Sequence, residues 1–284
     1  MVVNDVLALT FRMEAEAEGR APEKRPSRPN KPSCKDRRCT GVEAMAEANL
    51  ERERERIEAA EQRAAELHYN GFLLAMAEDL GERMLKAFET PTSIPYGTVN
   101  LRHGIPPGET VVSSLAGAGS LSLEFTMLSE LTGRPEFGEK AQAAAIALYN
   151  RRTTLGLLGK HVNIVNGKWT ETVSGIGSNA DSFFEYLAKM YLLFGDEAWW
   201  WRFLDTYDAI NLQLRHGDWY ADVDMYSGKP RRHRFENLMA FWPGLQVLVG
   251  ELPAAARTLN AFYLVWRDWG FLPEEYVGDQ SYPR

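Results

Sequence analysis

Three stretches of this chain share one plan, and that repetition limits the fold more than any other feature. "SLSLEFTMLSELTGRPEFGEKAQAAAIALYN" from Ser120, "SFFEYLAKMYLLFGDEAWWWRFLDTYDAINLQL" from Ser182 and "ENLMAFWPGLQVLVGELPAAARTLNAFYLVW" from Glu236 each read as helix, glycine, helix. Gly133, Gly195 and Gly250 stand where a left-handed residue ends the first helix of each pair, a conformation open to glycine because it has no Cβ. The pairs recur at a spacing of about 60 residues, within the range of structural repeats. Strand-like pieces fill the intervals. "HVNIVNGKWTE" carries Asn166-Gly167 and "WYADVDMYSGKPRR" carries Ser227-Gly228, both turn signals between alternating apolar residues. Helical hairpins separated by short β-hairpins predict an all-α toroid or solenoid of paired helices rather than a four-helix bundle. In such a ring the inner helices face a central cavity, where chemistry belongs.

Upstream lies "GVEAMAEANLERERERIEAAEQRAAELHYNGFLLAMAEDLGERMLKAFET", rich in helix-forming Ala, Glu and Arg. Its first part, to about His68, is charged all round and reads as peripheral; Phe72 to Phe88 is amphipathic and suited to packing, and Pro91 closes it. Residues 1–42 read as a separate basic tail, with eight Lys and Arg between Arg20 and Arg38 and four prolines among them. Such a stretch cannot bury enough apolar surface to offset its ordering entropy, so disorder is expected there, and the domain proper is expected over 43–284. Both cysteines, Cys34 and Cys39, fall in that tail, which leaves no disulfide or thiolate metal site for the domain. A net charge of −7 argues against nucleic acid as a partner. The start "MVVNDVLALTFRMEAEAEG" lacks the basic region and apolar run of a signal peptide, and no window reaches the roughly 18 apolar residues of a membrane span.

Several acids stand where a structural role alone is costly. On a helical projection of 119–132, Leu121, Phe125, Met127, Leu128 and Leu131 make one apolar face, with Ser122, Thr126, Ser129 and Glu130 opposite. Glu124 falls inside the apolar face. Either it is buried against an Arg or a helix end, or it lines a polar cavity with a raised pKa that suits a general acid. In "GSNADSFFEYLAKM", Asp181, Glu185 and Lys189 follow at i, i+4 steps. Asp181 can complement a helix dipole, with Ser178 or Asn179 as N-cap, and Glu185 is correctly ordered to pair with Lys189. Glu274 in "WGFLPEEY" follows a breaker, Pro273, and reads as an exposed loop acid. Trp199 to Trp201 are either core or a platform for sugar rings. No HExxH, GxSxG, P-loop or GxGxxG occurs, and the five histidines lack metal-ligand spacing, so no other familiar chemistry competes with the carboxylates.

Six motifs, "IPYGTVNLRHGIPPGET", "LAGAGSLSLEFTMLSELTGRPEF", "LGLLGKHVNIVNGKW", "GSNADSFFEYLAKMYLLFGD", "FWPGLQVLVGE" and "GFLPEEY", follow in order between about Tyr69 and Tyr276. Together they resemble the class I α-1,2-mannosidases of glycoside hydrolase family 47, and within it the ER degradation-enhancing α-mannosidase-like proteins. The resemblance implies an (αα)₇ barrel of helical hairpins, inverting hydrolysis of terminal α-1,2-linked mannose on high-mannose N-glycoproteins, calcium at the cavity floor, and a setting in the ER lumen in which misfolded glycoproteins are marked for degradation. A thiol oxidoreductase partner also belongs to that implication. By motif, Glu124 corresponds to the catalytic acid, Asp181 to a catalytic carboxylate and Glu274 to the candidate base, with Glu185 in the sugar-binding shell.

A ring of that kind needs about fourteen helices, and only about half are legible, so the toroid is expected in part and with apolar helix faces left bare. The helices bearing the family's early acidic motifs and the segment bearing its calcium-holding threonine are not among the residues present. That combination fits a truncated or mis-joined sequence of an ER protein. Two further functions therefore stand beside hydrolysis: a mannose-glycan-binding module without catalysis, and a helical scaffold with no glycan role.

Overall fold

The structure, a computed structural model, describes residues 48–59, 70–271 and 274–277; the basic tail and its two cysteines lie outside them. A charged helical segment at 48–59 is mostly exposed. Helix α1 (Phe72–Leu85) continues into a 3₁₀ turn (Lys86–Phe88) and is followed by β1 (Val112–Ser114) and the short α2 (Leu115–Gly119). Three helical hairpins then follow: α3 (Ser122–Thr132) with α4 (Glu136–Tyr149), α5 (Asp181–Phe194) with α6 (Glu197–Gln213), and α7 (Trp242–Leu248) with α8 (Leu252–Trp269).

Gly133, Gly195 and Gly250 take φ of 69°, 74° and 86° between the two helices of their pairs, as the sequence predicts. The second helices have their own starts: the Asp196 side chain accepts the Ala198 N–H ahead of α6, and a proline stands in the first turn of α8.

The strands are more connected than isolated hairpins. β2 (His161–Asn163) and β3 (Trp169–Glu171) pair around the expected Asn166-Gly167 turn, but β1 joins them as a third strand. β7 (Asp222–Asp224) and β8 (Pro230–Arg232) pair around Ser227-Gly228, and β4 (Val173–Ser174) adds to β7. Trp219 and Tyr220, which the sequence assigns to that hairpin, instead form β6 (Trp219–Tyr220), paired with β5 (Arg215–His216). β9 (Arg234–Glu236) pairs with β10 (Glu275–Val277). Every one of these strands either precedes the first helix of a hairpin or follows the second. Because the helices of a hairpin are antiparallel, those positions share one end of the structure, and Glu124, Asp181 and Glu274 lie at that end.

The main core joins α5, α6 and α7 through an aromatic column. Tyr191, Trp200, Phe203, Tyr207 and Trp242 succeed one another with centroids 5.2–5.6 Å apart. Trp199 and Trp200 are thus core, while Trp201 is 52% exposed. A second cluster around Phe88, Phe125, Leu128 and Phe137 ties α1 to α3 and α4.

The polar face expected on α3 is not a solvent face. Ser122 and Thr126 are both buried, Thr126 because Gly138 lets α4 approach until a Cβ there would stand 3.0 Å from the Thr126 Cα. Thr126 and Ser129 are paired across that seam: the Gly138 N–H donates to Ser129 Oγ at 2.8 Å and Gln142 Nε2 to Thr126 Oγ1 at 2.9 Å, whereas the buried Ser122 hydroxyl has no hydrogen-bond partner among the described residues.

"LAGAGS" has a packing explanation too. Ala116, Ala118 and Gly119 are buried, and a Cβ on Gly119 would lie 2.3 Å from the Phe183 ring on α5 and 3.1 Å from Leu148 on α4. Gly119→Ala is therefore expected to cost about 1–3 kcal/mol by overpacking, read as a lower denaturant midpoint with unchanged slope. An unchanged midpoint would show that α2 has room the geometry denies it.

Apolar side chains are exposed as expected: Met76 on α1 and Leu259, Tyr263, Trp266 and Trp269 on α8 are each more than half exposed. No described helix is long and apolar enough to cross a membrane.

Candidate active site

Helix α5 begins abruptly. The turn "GSNA" brings Asn179 to φ 69°, a left-handed conformation that Asn tolerates, and Ala180 then precedes Asp181 at the first helical position. Neither Ser178 nor Asn179 caps the helix, contrary to the sequence expectation; no side chain caps it. The Asp181 carboxylate instead accepts the Ser182 N–H at 2.8 Å, and Ser182 Oγ lies 3.1 Å from Ser120 Oγ at the α2–α3 junction. That contact joins the two helix starts.

Glu124, in the first turn of α3, is half-buried and accepts a hydrogen bond from the Tyr186 hydroxyl on α5 at 2.7 Å. Tyr186 is a neutral donor to this carboxylate. Burial, together with this carboxylate, pushes the Tyr186 hydroxyl far above its ordinary range, so it remains a donor. Glu185 pairs with Lys189 at 3.0 Å, as its spacing predicts. Glu274 is exposed, and two bonds tie it to Asn237: its carbonyl accepts the Asn237 N–H at 3.1 Å and its carboxylate accepts Asn237 Nδ2 at 3.0 Å.

Glu236, which the sequence reading passed over, stands beside Asn237 and is 6% exposed. One of its oxygens accepts the Ser178 N–H at the start of α5; the other takes Arg234 Nη2 at 3.1 Å. Glu236 and Asn237 thus connect the Asp181 turn to Glu274. Four segments meet here: the starts of α3 and α5, the end of β9 and the approach to β10. Tyr186 sits within the quoted motif and could have been found there. Glu236 carries no local signal.

Asp181 titrates above the ordinary carboxylate range. Burial is the largest cause, opposed by the Ser182 hydrogen bonds and reinforced by the charges of Glu236 and Glu185. Because the folded value exceeds the unfolded one, ionised Asp181 works against the fold: its contribution is fully present below the unfolded carboxylate range and is lost as pH rises through the folded value. Asp181→Asn is therefore expected to melt higher than the parent chain at neutral pH, with the gap closing in acid. Thermal melts across pH check it; equal melting temperatures at neutral pH would contradict the strain assigned to this carboxylate.

The chain is similar in sequence and in fold to known proteins. The family model described as Glycosyl hydrolase family 47 matches residues 60–282. An alpha-mannosidase I of Arabidopsis thaliana is 48% identical over 213 residues, covering 75% of this chain and 37% of that protein. The human ER degradation-enhancing alpha-mannosidase-like protein 2 is 45% identical over 213 residues, with the same two shares. An alpha-1,2-mannosidase from Trichoderma reesei superposes with a TM-score of 0.63 at 25% identity, over 75% of this chain and 49% of that one. The chain thus spans little more than a third of the curated relatives it matches and about half of the structural neighbour.

Proposed function

This chain belongs to glycosyl hydrolase family 47, and from that premise we propose that it binds terminal α-1,2-linked mannose of high-mannose N-glycans among these carboxylates and hydrolyses the bond with inversion. Its fold is the corresponding part of an (αα)₇ barrel. The observation that carries the reading is the linkage between the segments that bear these acids: Tyr186 on α5 holds Glu124 on α3, and Glu236 and Asn237 join the Asp181 turn to Glu274. Inversion needs one carboxylic acid at the leaving oxygen and one carboxylate on the opposite face of the sugar, about 6.5–9.5 Å apart, with a water between. Glu124, oriented by Tyr186, gives its proton to the glycosidic oxygen as the bond to C1 breaks. A water attacks C1 from the other face and yields its proton to Glu274, while Asp181 stabilises the positive charge developing on the ring.

Calcium, implied by the sequence resemblance, takes about six to eight oxygen ligands. Among the described residues no three Asp, Glu, His or Cys side chains converge to hold a metal. These residues do not build that site by themselves, and the scheme uses none. The name of the human relative, an ER degradation-enhancing alpha-mannosidase-like protein, supports an ER setting and a part in ER degradation.

A second reading is a mannose-binding module without turnover, since a carboxylate such as Glu124, held by Tyr186, can accept sugar hydroxyls without transferring a proton. The two separate in one experiment. Mannose release and glycan binding are measured together on a free high-mannose N-glycan, with calcium and again with chelator. Release supports hydrolysis, binding without release supports the module, and neither leaves a helical scaffold.

A further inference from the structure

We propose that Glu236 is a positioning residue for the site, fixing the turn that launches α5 and thereby the placement of Asp181. The inference rests on Asp181 as a site carboxylate, as read above. Its support is geometric. The Glu236 side chain is 8% exposed, and its Oε1 fills the space a side chain on residue 177 would need, since a Cβ on Gly177 would lie 1.9 Å from that oxygen. Glycine at 177 and glutamate at 236 are thus complementary. The same oxygen takes the Ser178 N–H, next to the left-handed Asn179, in a turn with no capping side chain of its own. A buried carboxylate does for this turn what an N-cap does elsewhere, but from β9, 58 residues away along the chain.

The other side of Glu236 is equally determined. Oε2 meets Arg234 Nη2 at 3.1 Å, and the same guanidinium reaches Asp222 Oδ2 through Nε at 3.1 Å and Glu275 Oε2 through Nη1 at 3.2 Å. Asp222 Oδ1 in turn accepts Lys160 Nζ at 3.2 Å. This buried chain of alternating charge anchors Glu236 to the sheet. The next residue, Asn237, holds Glu274 through both backbone and side chain. One short segment therefore sets the relative placement of the carboxylates on α5 and at β10. Two charges act on Asp181, Glu236 from β9, paired with Arg234, and Glu185 on its own helix, paired with Lys189; of the other acids, Glu124 on α3 is held by Tyr186 and Glu274 ahead of β10 by Asn237. Among these, Glu236 both acts on Asp181 electrostatically and holds the backbone that carries it.

Two substitutions separate those actions. Glu236→Gln keeps an oxygen for the Ser178 N–H and removes the charge; Glu236→Ala removes both. The readouts are amide hydrogen exchange at Ser178 and the titration of the Asp181 carboxyl followed by carbon NMR in the full chain. In Glu236→Gln the Ser178 amide stays protected while Asp181 titrates at lower pH than in the parent. In Glu236→Ala the protection is lost as well. A role confined to general stability would leave the Asp181 titration where it is, so an unmoved titration in folded Glu236→Gln overturns the proposal. Unchanged Ser178 protection in folded Glu236→Ala overturns it as well; if that variant does not fold, Glu236→Gln decides alone. Neither readout involves a sugar, so a failure of glycan hydrolysis counts against the proposed function and not against this inference.

Discussion

Asp222→Ala is expected to destabilise the chain by about 3–5 kcal/mol, the loss typical when one member of a buried ion pair is removed. Asp222 is 4% exposed and divides its carboxylate between two cations, Lys160 at 3.2 Å and Arg234 at 3.1 Å. Arg234 retains Glu236 and Glu275 when Asp222 goes; Lys160, 3% exposed, has no other hydrogen-bonding acid within reach in this network. Its ammonium would be left desolvated, and that uncompensated charge dominates the expected loss. No local rearrangement relieves it easily, because a Cβ on Gly175 would already lie 2.0 Å from Asp222 Oδ1, which shows how closely the backbone wraps the carboxylate. Two comparisons identify the cause. Asp222→Asn keeps the shape and some hydrogen bonding and is expected to cost less. Lys160→Met combined with Asp222→Ala is expected to be less destabilised than the sum of the two single changes, since the orphaned charge is gone. Denaturant unfolding of the parent and these four variants measures this, and strict additivity would show that Lys160 does not depend on Asp222.

This charge chain also shows where the sequence stops being informative. Hairpins, their stopping glycines and two of the β-turns are written in local pattern, because a helix end or a tight turn is decided by a few adjacent residues. The candidate acids Glu124, Asp181, Glu185 and Glu274 stand in motifs that the sequence shows, and contacts link their segments: Tyr186 to Glu124, Ser182 to Ser120, and Glu236 and Asn237 between the Asp181 turn and Glu274. What the sequence did not show depends on residues far apart. β1 joins β2, and β4 joins β7, across whole helical hairpins. The face of α3 bearing Ser122 and Thr126 looks solvent-bound on a helical wheel, yet both are buried, Thr126 by the close approach of Gly138. Ser178 and Asn179 are good N-caps by composition, yet Ser178 gives its N–H to Glu236, and Asn179 is spent on the left-handed turn. A local rule supplied the right residue types for a cap, and a long-range carboxylate took the task.

Glu124→Gln should lower mannose release by about 10²–10⁴, the range assigned to a positioned general acid. The substitution is nearly isosteric, and its oxygen can still accept from the Tyr186 hydroxyl, so the α3–α5 contact and glycan affinity are expected to survive. Affinity retained with turnover lost is the signature of a group needed only in the transition state. Tyr186→Phe tests the orientation of the acid separately: the carboxyl remains but can turn, and the expected loss is smaller, up to about 10². The stereochemistry supplies an independent check on the partner carboxylate. If a water held by Glu274 attacks opposite to the departing oxygen, mannose released from an α-linkage appears first as the β anomer, visible by proton NMR before mutarotation. An α anomer at the earliest time points would mean two successive displacements, with a carboxylate attacking C1 as nucleophile in place of the water, and Glu274 would not be the base of a single displacement. Equal loss of binding and turnover in Glu124→Gln would make Glu124 a residue that holds the sugar, and would shift the function of this half-ring from hydrolysis to recognition.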